Sequence, residues 1–150
     1  MNSIRYVHTN IIARDWRKLA RFYREVFACE PVPPERDIRG EWLSRGTGVA
    51  GARIRGQHLR LPGYGENGPT LEIFSYDRME ARPEAAANRL GLGHLAFEAG
   101  DCRELRKRVL AAGGADLGEL VTHEIPGVGM LTFIYMTDPE GNILEIQSHD

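Results

Sequence analysis

Residues 7–15 read Val-His-Thr-Asn-Ile-Ile-Ala-Arg-Asp, and residues 93–101 read Gly-His-Leu-Ala-Phe-Glu-Ala-Gly-Asp. Both stretches place a histidine second and an aspartate last, so His94 and Asp101 follow His8 and Asp15 by the same 86 residues. Each is typical of a short strand that leads to a helix, because aspartate is among the residues preferred at a helix N-cap. The chain is therefore predicted to contain two copies of one module, each beginning with a strand that carries a histidine.

A second repeat, the tripeptide Leu-Glu-Ile, occurs late in each copy. It contains Glu72 in the first copy and Glu145 in the second, 73 residues apart. A glutamate between Leu and Ile is also typical of an amphipathic strand with one solvated face, and that alternative stays open for either residue alone. Two modules that each supply one histidine and one glutamate suggest a single shared site with four ligands. Two imidazoles and two carboxylates suit a divalent transition metal.

Size and composition indicate one globular domain of ordinary type. The chain has 150 residues, of which 42% are hydrophobic and 27% charged, as in an average soluble protein. A net charge of −2 with scattered Arg and Lys gives no electrostatic basis for binding nucleic acid or an anionic membrane. The sequence predicts no signal peptide and no membrane helix, for which roughly 20 apolar residues would be needed. Cys29 and Cys102 are expected to be free thiols, which favours a cytoplasmic location.

The first half is predicted to fold as β-α-β-β-β. A helix over residues 16–27 follows Asp15, with apolar residues at helical spacing, and the prolines after it end the helix. The segment from Glu30 to Glu41 contains three prolines and is interpreted as a long loop that covers the site or packs on a neighbouring molecule. The predicted strands are residues 5–12, 42–43, 52–61 and 70–76.

The second half repeats this order after a polar, alanine-rich linker over residues 77–89. A helix over residues 102–112 follows Asp101 and ends at Gly113-Gly114, since glycine is common just beyond a helix end. The predicted strands are residues 93–98, 117–124, 129–136 and 142–147. Each half is therefore a βαβββ module.

This layout resembles the vicinal oxygen chelate superfamily, which includes glyoxalase I, methylmalonyl-CoA epimerase, extradiol dioxygenases and the bleomycin- and fosfomycin-resistance proteins. The resemblance covers nearly the whole chain. It is carried by His8, the helix from Asp15 to Phe27, Leu71-Glu72-Ile73, the stretch Gly91-Leu92-Gly93-His94-Leu95-Ala96-Phe97, and Asp138-Pro139-Glu140-Gly141-Asn142-Ile143-Leu144-Glu145. It implies an α+β fold in which two βαβββ modules, about residues 1–78 and 88–150, form one glyoxalase-like domain over residues 1–150. Their strands would form a cup-shaped, mostly antiparallel eight-stranded sheet with a metal on its concave side, and the protein would be a homodimer.

The ligand pattern resembles that of the glyoxalase I type, in which the first and last strands of each module supply the ligands. The matching residues are His8, Glu72, His94 and Glu145, and the resemblance implies one divalent ion, Ni, Co, Zn or Mn. Extradiol dioxygenases and fosfomycin-resistance enzymes use a two-His, one-carboxylate set instead. Methylmalonyl-CoA epimerases commonly carry Gln at the position of Glu72, and antibiotic-binding members generally lack the ligands.

The function that this pattern implies is a metal-dependent lyase or isomerase, similar to lactoylglutathione lyase, acting on a small molecule. A chelating carbonyl substrate would lose a proton from the adjacent carbon and pass through an enediolate intermediate. Glu145 is the expected base, with Glu72 as its counterpart on the opposite face of the intermediate. The alternatives are a methylmalonyl-CoA-type epimerase, an Fe(II) dioxygenase and a non-enzymatic antibiotic-binding protein.

The remaining histidines have no partner in the repeat. His58, His123 and His149 are interpreted as packed or surface residues, and Tyr135 either lines the pocket or packs in the core. Three arginines, Arg53, Arg55 and Arg60, alternate partly with apolar residues and are expected on a solvated sheet face. The two cysteines have no nearby base and are not expected to act as nucleophiles.

Overall fold

The computed structural model describes residues 3–149 and divides the chain into two compact units, Met1–Ala81 and Arg82–Asp150. The boundary falls within the predicted linker, residues 77–89, which contains no helix or strand. Each unit therefore corresponds to one of the two predicted modules. Their union in a single domain remains a prediction.

Each unit begins with a strand and a helix and continues mainly with strands. The first contains β1 (His8–Ile12), α1 (Trp16–Phe27), β2 (Glu30–Arg39), α2 (Glu41–Thr47), β3 (Arg53–Arg60) and β4 (Thr70–Tyr76). The second contains β5 (Leu95–Glu98), α3 (Cys102–Ala111), β6 (Ala115–Asp116), β7 (Val121–Ile125), β8 (Gly129–Thr137) and β9 (Ile143–His149). No helix in the described part of the chain has the length and apolar character needed to cross a membrane.

The strands pair into one mixed sheet in each unit. The first sheet has the order β1-β4-β3-β2; the second has the order β5-β9-β8-β6, with β7 also paired to β8. In both sheets the first strand runs parallel to the last strand of its unit, and the other pairs are antiparallel. The predicted α+β class is confirmed. The strand pairing of residues 3–149 gives two sheets of four and five strands, whereas one sheet of eight was expected.

Both major helices begin at the predicted aspartates. The Asp15 carboxylate accepts a hydrogen bond from the Lys18 amide, and the Asp101 carboxylate accepts from the amides of Arg103 and Glu104. These bonds satisfy N–H groups that the first helical turn leaves without a partner. Helix α1 contacts β3 and β4, and helix α3 contacts β9, so one face of each sheet is covered.

Two predictions for residues 30–43 are wrong. The segment interpreted as a loop from Glu30 to Glu41 contains β2, which pairs antiparallel with β3, and the predicted strand Trp42-Leu43 lies in α2. Proline is tolerated in β2 because this strand is at the sheet edge, and because Pro33 and Pro34 lie in the register shift between Val32 and Arg36, where the ladder with β3 is interrupted. Helix α2 buries Leu43 and leaves Trp42 exposed, which a helix allows for adjacent residues.

Candidate metal centre

The two parallel strand pairs have the same register. Thr9 lies opposite Leu71 between β1 and β4, and Leu95 lies opposite Leu144 between β5 and β9. In each unit the candidate histidine immediately precedes the first of these residues, and the candidate glutamate immediately follows the second. Alternation along the strands therefore puts the histidine and the glutamate on the same sheet face, opposite the buried leucines.

In the first unit, three side chains surround the Glu72 carboxylate. His8 Nε2 lies 2.9 Å from Glu72 Oε1, and His58 Nε2 lies 2.8 Å from Glu72 Oε2. Asn10 donates a longer hydrogen bond of 3.4 Å from Nδ2 to Oε1. The Glu72 side chain is only 11% exposed, so its charge is stabilised mainly by these polar neighbours.

In the second unit, His94 Nε2 lies 2.9 Å from Glu145 Oε2. The ring of Tyr135 packs against His94, with 4.6 Å between the ring centroids. Tyr135 lies opposite Glu145 between β8 and β9, just as His58 lies opposite Glu72 between β3 and β4. The two units therefore share the His–Glu pair and differ in the residue on the strand beside the glutamate.

The environment of His58 favours its neutral form. Burial lowers the pKa of the imidazole below its ordinary value of 6.5, and this outweighs the Glu72 carboxylate, which raises the pKa. Arg36 and His8 lower the pKa further, because positive charge disfavours a second cation nearby. A neutral imidazole carries one N–H, which it can donate to a carboxylate while its other nitrogen accepts.

Both His–Glu pairs fit the chemistry and the spacing of two neighbouring metal ligands. Two ligands at right angles, each about 2.1 Å from a metal, are separated by about 3.0 Å. The observed nitrogen–oxygen distance of 2.9 Å in each unit is close to that value. Neutral imidazole and carboxylate are ligands for late first-row divalent ions. The residues present therefore fit a transition metal.

Each unit brings together half of the predicted ligand set, namely His8 with Glu72 and His94 with Glu145. Within residues 3–149, no three His, Cys, Asp or Glu side chains are grouped so that they could hold a metal ion. In the first unit this agrees with the positions of the two imidazoles, which contact opposite oxygens of Glu72. The four-ligand site remains a prediction.

Sequence reasoning missed the contact of His58 with Glu72, because His58 has no counterpart in the repeat. The signal that could have found it is the antiparallel pairing of two adjacent strands, which puts residues 58 and 72 opposite one another. The other two histidines lie elsewhere. His149 Nδ1 lies 3.4 Å from Glu98 Oε2, and His123 is exposed on β7.

The three arginines of β3 form ion pairs with acidic side chains. Their partners are Asp37 for Arg53, Asp77 for Arg55 and Glu30 for Arg60. All six side chains lie within the first unit.

The cysteines are free and buried. Burial raises the pKa of the Cys29 thiol to about 12 and also raises the pKa of Cys102. Both thiols are therefore protonated at neutral pH, which disfavours nucleophilic catalysis by either.

Comparison with known proteins identifies the family. The glyoxalase-like domain family matches residues 8–146, a range that includes both His–Glu pairs. The chain belongs to this family and, with its structural neighbours, to the vicinal oxygen chelate superfamily. Among proteins of curated function, none matches the chain in sequence.

Solved structures with similar folds come from several bacteria. A glyoxalase family protein from Bacillus cereus is 18% identical, with a TM-score of 0.84 over 99% of this chain and 96% of that protein. The fosfomycin resistance protein FosX from Listeria monocytogenes, complexed with Mn(II) and sulfate, is 15% identical, with a TM-score of 0.57 over 100% and 95%. A glyoxylase/bleomycin resistance protein/dioxygenase domain from Frankia sp. is 19% identical, with a TM-score of 0.57 over 100% and 93%. At these identities the comparisons establish the fold.

Proposed function

We propose that this chain is a metal-dependent lyase or isomerase of the glyoxalase I type. Its metal would be one divalent Ni, Co, Zn or Mn ion, held by His8, Glu72, His94 and Glu145. The observation that carries the proposal is the pair of His–Glu contacts at 2.9 Å, in the same register of two separate sheets. When bound, the metal supplies Lewis acidity, which stabilises negative charge on the oxygens of a chelating carbonyl substrate.

In this proposal Glu145 is the base that removes a proton from the carbon beside the carbonyl. Glu145 contacts His94, whereas Glu72 is within hydrogen-bonding distance of His8, His58 and Asn10. A carboxylate with fewer hydrogen bonds retains more free lone pairs and moves with less loss of interaction. Glu145 is therefore better suited to take up and return a proton, and Glu72 is better suited to remain fixed.

A small-molecule substrate, a homodimeric assembly and a cytoplasmic location complete the proposal. The free, buried state of both cysteines supports the location, because a reducing compartment preserves thiols. The homodimer follows from the resemblance to superfamily members of this size.

The first test is elemental analysis of the purified protein, followed by assays of the metal-loaded protein on a hemithioacetal. We expect stoichiometric Ni, Co, Zn or Mn. Glu72→Gln should lower the metal affinity by at least 10- to 100-fold, because changes in residues that only support a ligand already cost roughly that much. Glu98→Gln is the control, because this glutamate pairs with His149 and is not one of the proposed ligands. Turnover of the hemithioacetal would support the lyase assignment.

Three other outcomes would overturn this assignment. Racemisation of acyl-CoA epimers without hemithioacetal turnover would favour the epimerase. Bound iron that is indifferent to Glu72→Gln, with oxygen consumption on a catechol, would favour the dioxygenase. Failure of the wild type to bind any metal after reconstitution would favour the small-molecule binding protein.

A further inference from the structure

The environment of Glu72 contains a histidine that the proposed ligand set leaves unused. His58 contacts Oε2 of Glu72, while His8 lies beside Oε1. We propose that His58 is a positioning residue that holds the Glu72 carboxylate with Oε1 turned toward the nitrogen of His8. This inference rests on the proposed function, because it takes Glu72 and His8 as neighbouring metal ligands.

The strand pairing fixes His58 beside Glu72. The two residues are directly opposite in the antiparallel ladder of β3 and β4, so their side chains leave the sheet on the same face. His58 Nε2 reaches Oε2 at 2.8 Å, and its other ring nitrogen, Nδ1, lies 3.4 Å from the hydroxyl of Thr70. The carboxylate accepts only, so Nε2–H is the donor and Nδ1 accepts from Thr70. Thr70 thus favours the tautomer that His58 needs to hold Glu72.

Packing restrains the His58 ring from the other side. The ring of Phe74 meets it edge-on, with 5.7 Å between centroids, and Phe74 is buried. Phe74 lies opposite Gly56 in the ladder, and a Cβ atom on Gly56 would come within 2.4 Å of the Phe74 ring. The glycine therefore provides the space in which Phe74 packs across β3 and next to His58.

The second unit lacks this arrangement. Tyr135 occupies the position equivalent to His58, and its ring packs against His94. Among the described residues, Glu145 makes no hydrogen bond to the Tyr135 hydroxyl. Removal of His58 should therefore loosen Glu72 and leave Glu145 unaffected. Partners that orient a metal-bound carboxylate typically contribute 10- to 100-fold to metal affinity, roughly the loss expected here.

The experiment measures Co²⁺ affinity and the visible absorption of the Co²⁺ protein for His58→Leu, His58→Gln and His123→Leu. We expect His58→Leu to weaken binding about 10- to 100-fold. His58→Gln should restore most of the affinity, because its amide N–H can donate to Oε2 as Nε2–H does. His123 is exposed on β7, so His123→Leu should bind as the wild type does.

Two results would overturn the positioning role. Wild-type affinity in His58→Leu would show that Glu72 needs no such support. A loss that His58→Gln fails to restore, together with an altered Co²⁺ spectrum in both variants, would make His58 a direct metal ligand.

A metal-free measurement separates this inference from the proposed function. In ¹⁵N-histidine spectra of the metal-free protein, Glu72→Ala should shift the ring nitrogens of His58 and leave those of His123 unchanged. Unshifted His58 signals would overturn the contact itself. If Glu72→Ala shifts the His58 signals but the wild type binds no Co²⁺, the contact between His58 and Glu72 stands. The proposed function and the role of Glu72 as a metal ligand would then be overturned.

Discussion

The two units hold the same pair of side chains at the same register but surround it differently. In the first, Glu72 contacts the imidazoles of His8 and His58; in the second, Glu145 contacts His94 beside the ring of Tyr135. The difference arises at two positions. One is the residue opposite the glutamate on the neighbouring antiparallel strand, and the other is the residue opposite it on the parallel strand, which is Asn10 in the first unit and Ala96 in the second. Two copies of a module can therefore hold the same His–Glu pair and still give the two carboxylates different numbers of polar partners.

The units also differ in how the sheet face that carries the histidine is covered. Helix α2 of the first unit buries Leu43 against Ala52, Ile54 and Phe74. Phe74 in turn contacts the ring of His58. The apolar cluster under α2 thus supports the residue that holds Glu72. In the second unit the segment after α3 forms the short strand β6 and then β7.

The largest expected effect comes from replacing each of the two glutamates, one at a time, with glutamine. Glu145→Gln should lower kcat about 10²- to 10⁴-fold even when the metal is saturating, the usual contribution of a general base. Glu72→Gln should instead weaken metal binding and lose less kcat once the metal is saturating. Steady-state kinetics at saturating metal, with metal content measured on each sample, distinguishes the two. Equal losses of kcat would contradict the difference between the carboxylates.

Core leucines next to the two glutamates test whether the units are equivalent in stability. Leu71 and Leu144 are fully buried, and Ala at either position should lower the free energy of unfolding by about 2–5 kcal/mol. Urea denaturation followed by circular dichroism measures both. Leu92→Ala is the control, since this leucine is 81% exposed and should change stability by no more than about 0.5 kcal/mol. If only one of the two variants, Leu71→Ala or Leu144→Ala, lowered the free energy of unfolding by this amount, the two units would not be equivalent in stability.

Tyr135→His would give Glu145 the same kind of neighbour that Glu72 has. The added imidazole should restrain Glu145, so we expect kcat to fall about 10-fold while metal affinity stays the same or rises. Tyr135→Phe keeps the ring against His94 and should retain kcat. A large loss in Tyr135→Phe would show that the hydroxyl itself acts in the site.

The cysteines predict a further difference between the units at alkaline pH. The Cys29 thiol has its pKa raised by burial from 9.0 to about 12. Between these values the unfolded chain loses a proton that the folded chain keeps, so stability falls with rising pH by about 1.4 kcal/mol per pH unit. Cys29→Ala should therefore flatten the decline above pH 9, and Cys102→Ala should flatten it less. Urea denaturation at pH 8 to 11 measures both slopes, and parallel slopes for wild type and Cys29→Ala would contradict the burial effect.

The sequence predicted helix α1 and the two helix N-caps correctly. Helix α1 has the predicted bounds, and both N-caps form, because capping and amphipathic spacing involve only residues within a few positions. Strand β2 was missed because its prolines disfavour a strand locally, whereas pairing with β3 at a sheet edge allows one.

The sequence by itself determined the two-module fold, the family and the four residues in the two His–Glu pairs. Those features are encoded in repeats, since a fixed strand register carries each histidine and glutamate to the same face. Only the tertiary structure decided that His58 belongs beside Glu72 and that Tyr135 takes its place beside Glu145. The physical reason is that such neighbours are set by how antiparallel strands align across their connecting turns, and that alignment depends on the packing of the whole sheet.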